Sequence, residues 1–400
     1  MKKETNTVRP LGLYLHIPFC RKKCDYCDFY SLAHSEEKMD SYTAALIRHL
    51  EEVAPRAEKH TVDTVYFGGG TPSYLGEKRL EKLLRTVEKR YHLAKGAEIT
   101  LEANPDSVKD DKMLRSLRRA GFNRLSLGVQ STDDALLRAV GRPHTFEQAR
   151  LAVEAARKAK IGNLSLDLIY GLPSQTMEQW RQTLSDAVAL SPEHLSCYGL
   201  KVEEGTPLYA RRERESLPDD DAQADMYLYA VSYLAERGYA QYEISNFAKE
   251  GRESRHNLKY WTLQEYAGFG PGAHSDFGSV RFAYEKDLDA YIRGELRLSE
   301  QQDIPPRDRD TEYLMLGLRT VRGVGVKEFE NRFRERFAPM ETLLETYAGQ
   351  GWCLREEDRW HLTPQGFLVS NQIIGNVLDA LTADKARRAA AAARGNYRVI

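Results

Sequence analysis

Three cysteines, Cys20, Cys24 and Cys27, fall within eight positions of the segment HIPFCRKKCDYCDF, in a chain that holds five cysteines in all. Thiols so close together bind a metal or an iron–sulfur cluster. A structural zinc site takes four protein ligands, usually as paired Cys-x-x-Cys knuckles. Here there is one triplet, no second pair, and only His16 or His34 nearby to complete a tetrad. An iron–sulfur cluster is the better fit: three thiolates hold three irons and leave a fourth iron open. An open iron can take a chelating small molecule, such as the amino and carboxylate groups of a methionine derivative. Arg21, Lys22 and Lys23 would help to keep the thiols ionised. The same cations read either as a solvated loop face or as a landing point for an acidic electron donor. Cys197 in HLSCYGL and Cys353 in GWCL read as small buried hydrophobes.

Other polar residues stand where chemistry could use them. GGGTP (68–72) is either a tight turn that needs positive φ or a place where bare backbone meets a ligand. Glu102 in LEANP is a carboxylate in a strand and needs a partner, a ribose hydroxyl pair or a salt bridge. Gln130 in LGVQS, Arg142 in GRPH and Asp167 in LDLIYGLP could bind a ligand or stitch strands together. RHNLKYW (255–261) places His256 among Tyr260 and Trp261; imidazole ligates heme iron and aromatic rings cover a porphyrin face. A lone histidine among aromatics also packs structurally. His274 in GPGAHS is a secondary candidate, and Arg255 and Arg281 could pair with heme propionates.

Six short β-type runs would position these groups: 12–19, 62–69, 98–104, 124–131, 163–172 and 194–202. Helical stretches such as 78–91 and 146–160 lie between them, with apolar residues at helical spacing. Such alternation implies parallel pairing through right-handed crossovers. Six β/α units suit a barrel or partial barrel better than an open nucleotide-binding sheet. In a barrel the chemistry gathers at the carboxyl ends of the strands. The cysteines, GGGTP, Glu102, Gln130 and Asp167 all fall at or just past strand ends. The pattern divides the α/β chain into a core barrel (10–245), a segment with the aromatic motif and a linker (246–304), a small helix-rich C-terminal domain (305–382) and a loose tail (383–400). Over 400 residues the chain is 42% hydrophobic and 29% charged, with a formal net charge of −1. That balance describes a soluble globular protein and argues against a nucleic-acid partner. With no apolar run long enough to span a bilayer, no secretory signal and an odd cysteine count, a cytoplasmic location is expected, with peripheral membrane attachment left open.

Cys-x-x-x-Cys-x-x-Cys is the signature of the radical S-adenosylmethionine (SAM) family, and the chain resembles that family closely. The resemblance implies a partial (β/α)6 TIM-like barrel and a [4Fe–4S] cluster on Cys20, Cys24 and Cys27, with SAM on the open iron. It matches Tyr14, Tyr26, Gly69, Gly70, Thr71, Glu102, Gln130, Arg142 and Asp167 to SAM-side positions, with Gln130, Arg142 and Asp167 facing a second SAM. YLHIPFC, GGGTPS, LGVQS and DLIYGLP together resemble the branch that contains the oxygen-independent coproporphyrinogen III dehydrogenase and a heme chaperone. The dehydrogenase has a further cysteine two positions after the third, where this chain has Phe29, and a longer N-terminal extension. The His256 motif looks like the heme-binding motif of the chaperone. The resemblance thus implies a heme-binding protein, not clearly an enzyme, that passes heme to an acceptor such as a respiratory heme protein at the membrane, with an electron donor such as a flavodoxin as a further partner. The alternative is radical oxidative decarboxylation of coproporphyrinogen III.

Overall fold

A computed structural model of the protein describes residues 9–108 and 110–396. Six strands alternate with helices along the first half: Arg9–Ile17, His60–Gly69, Leu93–Ala103, Arg124–Gln130, Leu164–Tyr170 and His194–Gly199. They lie in chain order, each parallel to the next. The expected α/β barrel units are all present. The intervening helices are set by local chemistry. Thr145 with Gln148 and Thr176 with Gln179 form reciprocal capping boxes at the helices Phe146–Lys158 and Met177–Ala189, satisfying the first free N–H groups.

Successive strand residues face opposite sides of the sheet. One parity is apolar and buried: Leu11, Leu13 and Leu15, then Val65 and Phe67, Ile99 and Leu101, Leu125 and Leu127, Leu164 and Leu166. These pack in one core with helix residues such as Leu46, Leu80, Leu84, Leu114 and Ala152. The other parity is polar or aromatic: Tyr14 and His16, Thr64 and Tyr66, Thr100 and Glu102, Arg124 and Ser126, Ser165 and Asp167, His194 and Ser196. Register aligns them across the sheet, Tyr14 beside Tyr66, Glu102 beside Ser126, Ser126 beside Ser165, and Asp167 beside Ser196. One face of the sheet is therefore the packed core, and the other is a continuous polar lining.

The sheet does not end with these strands. Tyr266–Phe269 runs parallel to the first strand, and His274–Phe277, Val280–Tyr284 and Leu298–Asp303 follow in antiparallel order. Asn246–Ala248 lies antiparallel against the sixth strand. The segment 246–304, expected to hold the aromatic motif and a linker, thus adds five short strands to the sheet. Gly270, Gly272 and Gly278, all at positive φ, are turn residues between short strands, and they gave the segment its loop-like composition. The end of that segment, 301–303, lies in the exposed strand Leu298–Asp303; its polar sequence suits a sheet edge.

This unit runs through Ala240 and includes Ser245–Lys259 and Gln264–Asp303. A second unit comprises Gln241–Ile244, Tyr260–Leu263 and the chain from Ile304. Its helices Asp310–Gly317, Val326–Phe333 and Ala338–Gly349 bury Leu314, Phe329, Phe333, Phe337 and Met340. Strands Val324–Gly325, Arg359–Leu362 and Cys353–Glu356 form a small antiparallel sheet. The final helix, Ser370–Asn396, runs through the segment expected to be a loose tail. Alanine-rich sequence favours helix, and Arg388 bonds Asp384 one turn back at 2.8 Å; the last four residues lie outside the described ones. Among the described residues, no helix is long and apolar enough to cross a membrane.

Candidate functional site

The three-cysteine loop follows the first strand, between the short parallel strands Phe19–Cys20 and Leu32–Ala33, and is fixed from several sides. Asp25 donates its N–H to the Val140 carbonyl at 3.1 Å and accepts the Leu208 N–H at 2.8 Å. Its carboxylate pairs with Arg211 at 2.7 Å. Gly141, at φ 73°, lies against Asp25, and a Cβ there would stand 2.6 Å from Asp25 Oδ1. Cys20 and Cys24 are buried and Cys27 is half-buried. Burial pushes the Cys20 thiol up and that of Cys27 up to about 11, so metal binding must drive off their protons.

The loop cations do not supply the main compensation. Arg21 pairs with Asp106 at 3.5 Å, and Lys23 donates to the Phe29 carbonyl at 3.1 Å. The cation that reaches a thiol is Arg142, whose Nη1 lies 3.3 Å from Cys24 Sγ. Burial alone would lower its pKa, but Tyr26 and Cys24 hold it above the usual arginine range. Thr71 Oγ1 donates to Cys20 Sγ at 3.5 Å. His16 is unavailable as a fourth ligand in this arrangement. Its Nε2 meets the Tyr30 carbonyl at 2.8 Å and its Nδ1 meets Tyr14 Oη at 3.0 Å. Burial lowers its pKa to about 4, so the ring is neutral.

The glycines of GGGTP are required where they stand. A Cβ on Gly70 would lie 2.8 Å from the Phe19 carbonyl oxygen and 3.0 Å from Cys20 Sγ. One on Gly69, at φ 114°, would meet the His16 ring at 2.7 Å. Gly69 N–H donates to Glu102 Oε2 at 3.1 Å, and Tyr66 Oη donates to Glu102 Oε1 at 2.6 Å. Burial raises the Glu102 carboxyl to about 7 against those two bonds. Tyr26 packs on the apolar cluster of Leu136, Val140, Ile169 and Leu172, a surface suited to a flat ring. Gln130 ends the fourth strand at φ 66°, and its Nε2 lies 2.9 Å from where a Gly128 Cβ would stand, with Arg142 Nη2 at 3.1 Å from that point. Asp167 accepts from Ser196 at 2.8 Å, Ser126 at 3.0 Å and Ser165 at 3.2 Å.

The structure therefore brings Cys20, Cys24, Thr71, Gly70 and Arg142 together at the strand ends, with Gly69, Glu102 and Tyr66 adjoining through hydrogen bonds. Sequence reasoning missed Tyr66 and Asn104. Tyr66 lies on the polar parity of the second strand and Asn104 just past the end of the third, and neither residue type marks a site in the sequence. The donor set is two buried thiols that carry a hydroxyl and a guanidinium on their sulfurs, the half-buried Cys27 thiol of the same loop, and a glycine where a side chain would intrude. This chemistry fits an iron–sulfur cluster, although among the described residues no three ligating side chains converge as they stand.

His256 is placed elsewhere. It is 1% exposed and lies on the polar lining, with Nδ1 2.8 Å from Thr64 Oγ1 and its ring stacked 5.1 Å from Tyr66. Its N–H and that of Arg255 donate to Glu98 at 3.0 and 3.1 Å. Burial, with Lys259 and Arg124 nearby, lowers its pKa to about 3. In this conformation the imidazole does not present itself to a porphyrin. His274 is exposed and lies 3.2 Å from Glu300, while Arg255 and Arg281 face Asp63 and Asp276 at 3.8 and 3.2 Å.

Comparisons agree with this geometry. Residues 14–187 match the family model described as the radical SAM superfamily, and residues 304–369 match the HemN C-terminal domain. The heme chaperone HemW of Lactococcus lactis is 36% identical, covering 92% of this chain and 98% of that protein. HemW of Bacillus subtilis is 36% identical over 92% and 99%. Among solved structures, coproporphyrinogen III oxidase (HemN) from Escherichia coli, a radical SAM enzyme, superposes with a TM-score of 0.81 at 26% identity, covering 92% of this chain and 90% of that one. A cysteine loop closed on Thr71 and Arg142 within six parallel β/α units, and full-length kinship at this level, have one meaning: the chain belongs to the HemW family of the radical SAM superfamily.

Proposed function

We propose that this protein is a heme chaperone, which binds heme and passes it to an acceptor protein. The observation that carries the reading is the end-to-end similarity to HemW chaperones, 36% identity over 92% of the chain. Phe29 at the position of a further cysteine supports it. Membership of the radical SAM superfamily implies a [4Fe–4S] cluster and SAM; when bound, they supply a redox centre and a source of the 5′-deoxyadenosyl radical. In this reading Cys20, Cys24 and Cys27 hold the cluster, while Gly69, Gly70 and Thr71 hold the methionine end of SAM and Glu102 its ribose. Tyr26 offers its ring to the adenine, and Tyr14 lines the approach. Gln130, Arg142 and Asp167 complete that side, a second SAM being the further ligand they could serve. His256 is the proposed axial ligand, which requires its ring to leave Thr64. A heme acceptor, an electron donor such as a flavodoxin, and cytoplasmic placement against a membrane belong to the same reading.

The test is an anaerobic heme titration of reconstituted protein. A Soret shift that saturates near one heme per chain is expected, and its loss in His256→Ala. If that variant binds heme unchanged, the ligand lies elsewhere, and exposed His274 is the next residue to replace. Absence of saturable binding in the wild type defeats the reading. A second reading, coproporphyrinogen III oxidation, is favoured by the superposition on HemN. Formation of protoporphyrinogen from that substrate with SAM and reductant would establish it.

A further inference from the structure

Two of the three cluster thiols receive a hydrogen bond from outside the loop, and both donors lead to the same residue. Thr71 Oγ1 donates to Cys20 Sγ at 3.5 Å, and Arg142 Nη1 to Cys24 Sγ at 3.3 Å. Asn104 joins them: its Nδ2 donates to Thr71 Oγ1 at 3.0 Å, and its Oδ1 accepts from Arg142 Nη2 at 2.9 Å. Arg142 Nη2 also reaches the Gly128 carbonyl at 2.5 Å. The chain of bonds runs from one thiol to the other, Cys20–Thr71–Asn104–Arg142–Cys24, across three strand ends.

The amide orientation follows from its neighbours. A guanidinium can only donate, so the carbonyl oxygen of Asn104 must face Arg142 and its NH2 must face Thr71. Thr71 has one hydroxyl proton. Because Asn104 donates to the Thr71 oxygen, that proton is free to point at Cys20. The amide therefore sets the direction of the bond on one sulfur and anchors the donor on the other. Room for this arrangement depends on Gly128. A Cβ there would stand 3.1 Å from Arg142 Nη2 and 3.2 Å from Asn104 Oδ1.

We propose that Asn104 is the positioning residue of the cluster, coupling the Thr71 and Arg142 donors into one unit that sets how readily the cluster accepts an electron. Hydrogen bonds to cluster sulfurs stabilise the more negative, reduced state and so raise the reduction potential. An anchored pair of donors does so without reorganising when the electron arrives. This rests on the reading of the three cysteines as cluster ligands.

The experiment is anaerobic reconstitution followed by iron and sulfide analysis, a spectroelectrochemical titration, and electron paramagnetic resonance of the reduced cluster, for wild type, Asn104→Ala, Thr71→Val and their double variant. Asn104→Ala is expected to keep its iron and sulfide but to titrate at lower potential with an altered resonance. The double variant should shift less than the sum of the singles, because Thr71 acts through the same link. Asn104→Asp separates the arms. Its carboxylate keeps Arg142 but takes the Thr71 proton, so it should behave like Thr71→Val. Wild-type potential and resonance in a cluster-loaded Asn104→Ala or Asn104→Asp would overturn the inference, as would additive shifts. If Asn104→Ala loses the cluster, Asn104→Asp decides. A wild type that takes up no iron and sulfide would instead sink the cluster reading itself.

Discussion

At the scale of single residues, the site depends as much on what is missing as on what is present. Gly70 has no positive φ, so alanine fits its backbone, yet a Cβ would lie 3.0 Å from Cys20 Sγ and 2.8 Å from a backbone oxygen. Gly70→Ala should therefore fold but bind far less iron and sulfide after reconstitution; iron content equal to wild type would refute the steric argument. Glu102 offers a second check. Its carboxyl is raised to about 7, while a ribose hydroxyl pair donates best to the ionised form. SAM affinity, measured by equilibrium dialysis, should rise severalfold from pH 6 to pH 8 in the wild type and stay flat in Glu102→Gln. The cysteines, the glycines and Glu102 were legible because each breaks the expectation for its place, a thiol cluster, a run without side chains, a carboxylate in a strand. Asn104 and Tyr66 break none, since an asparagine before proline reads as a turn and a strand tyrosine as core. Only the fold shows that Tyr66 bonds Glu102 and that Asn104 joins Thr71 to Arg142.

At the scale of elements, the six strands and their helices were readable because hydrophobic spacing reports burial directly. What spacing hides is the second face. A parallel strand covered by helices reads as apolar, and the polar alternate residues could have been either solvent-facing or lining. The strands within 246–304 were not legible for another reason. They are three to six residues long, too short to show periodicity between glycine turns. The helix Arg255–Trp261 within this segment is held by charge. Lys259, 2% exposed, meets Asp63 at 2.7 Å. Asp63→Asn leaves a buried ammonium with only the neutral Gln264 Oε1, at 3.2 Å, in place of a carboxylate and should cost about 3 kcal/mol. Lys259→Met should cost less, because Asp63 keeps some water and lies 3.8 Å from Arg255. The double variant should recover much of the loss. Urea unfolding of the four proteins checks this, and strict additivity would mean that the pair does not act as one.

At the scale of the whole molecule, the polar lining and the core together make the large unit sensitive to acid. His16 titrates at about 4, and His49, His144 and His256 at about 3, burial being the first cause in each. Each is neutral in the fold, while the unfolded chain takes up protons at its ordinary value near 6.5. The unfolded state then binds more protons below that value, so stability is fully present above pH 6.5 and falls as pH drops towards the folded values. Glu102 works in the opposite sense. With a folded value of about 7 against 4.5 unfolded, it costs stability as pH rises between those values. Burial also lowers His194 and raises Asp167; five histidines outweigh two carboxylates, and each histidine contributes up to about 1.4 kcal/mol per pH unit once well below 6.5. The urea midpoint followed by far-UV circular dichroism should therefore drop steeply from pH 7 to pH 5. His49 allows the cause to be isolated, because its two ring nitrogens meet only Tyr291 Oη at 2.8 Å and Tyr284 Oη at 2.9 Å, away from the cysteine loop. His49→Gln should lower stability at pH 7 and make its decline with acid shallower by one histidine's share. A midpoint that stays level from pH 7 to pH 5 would show that these rings are protonated in the fold, and that the lining is wetter than its packing implies.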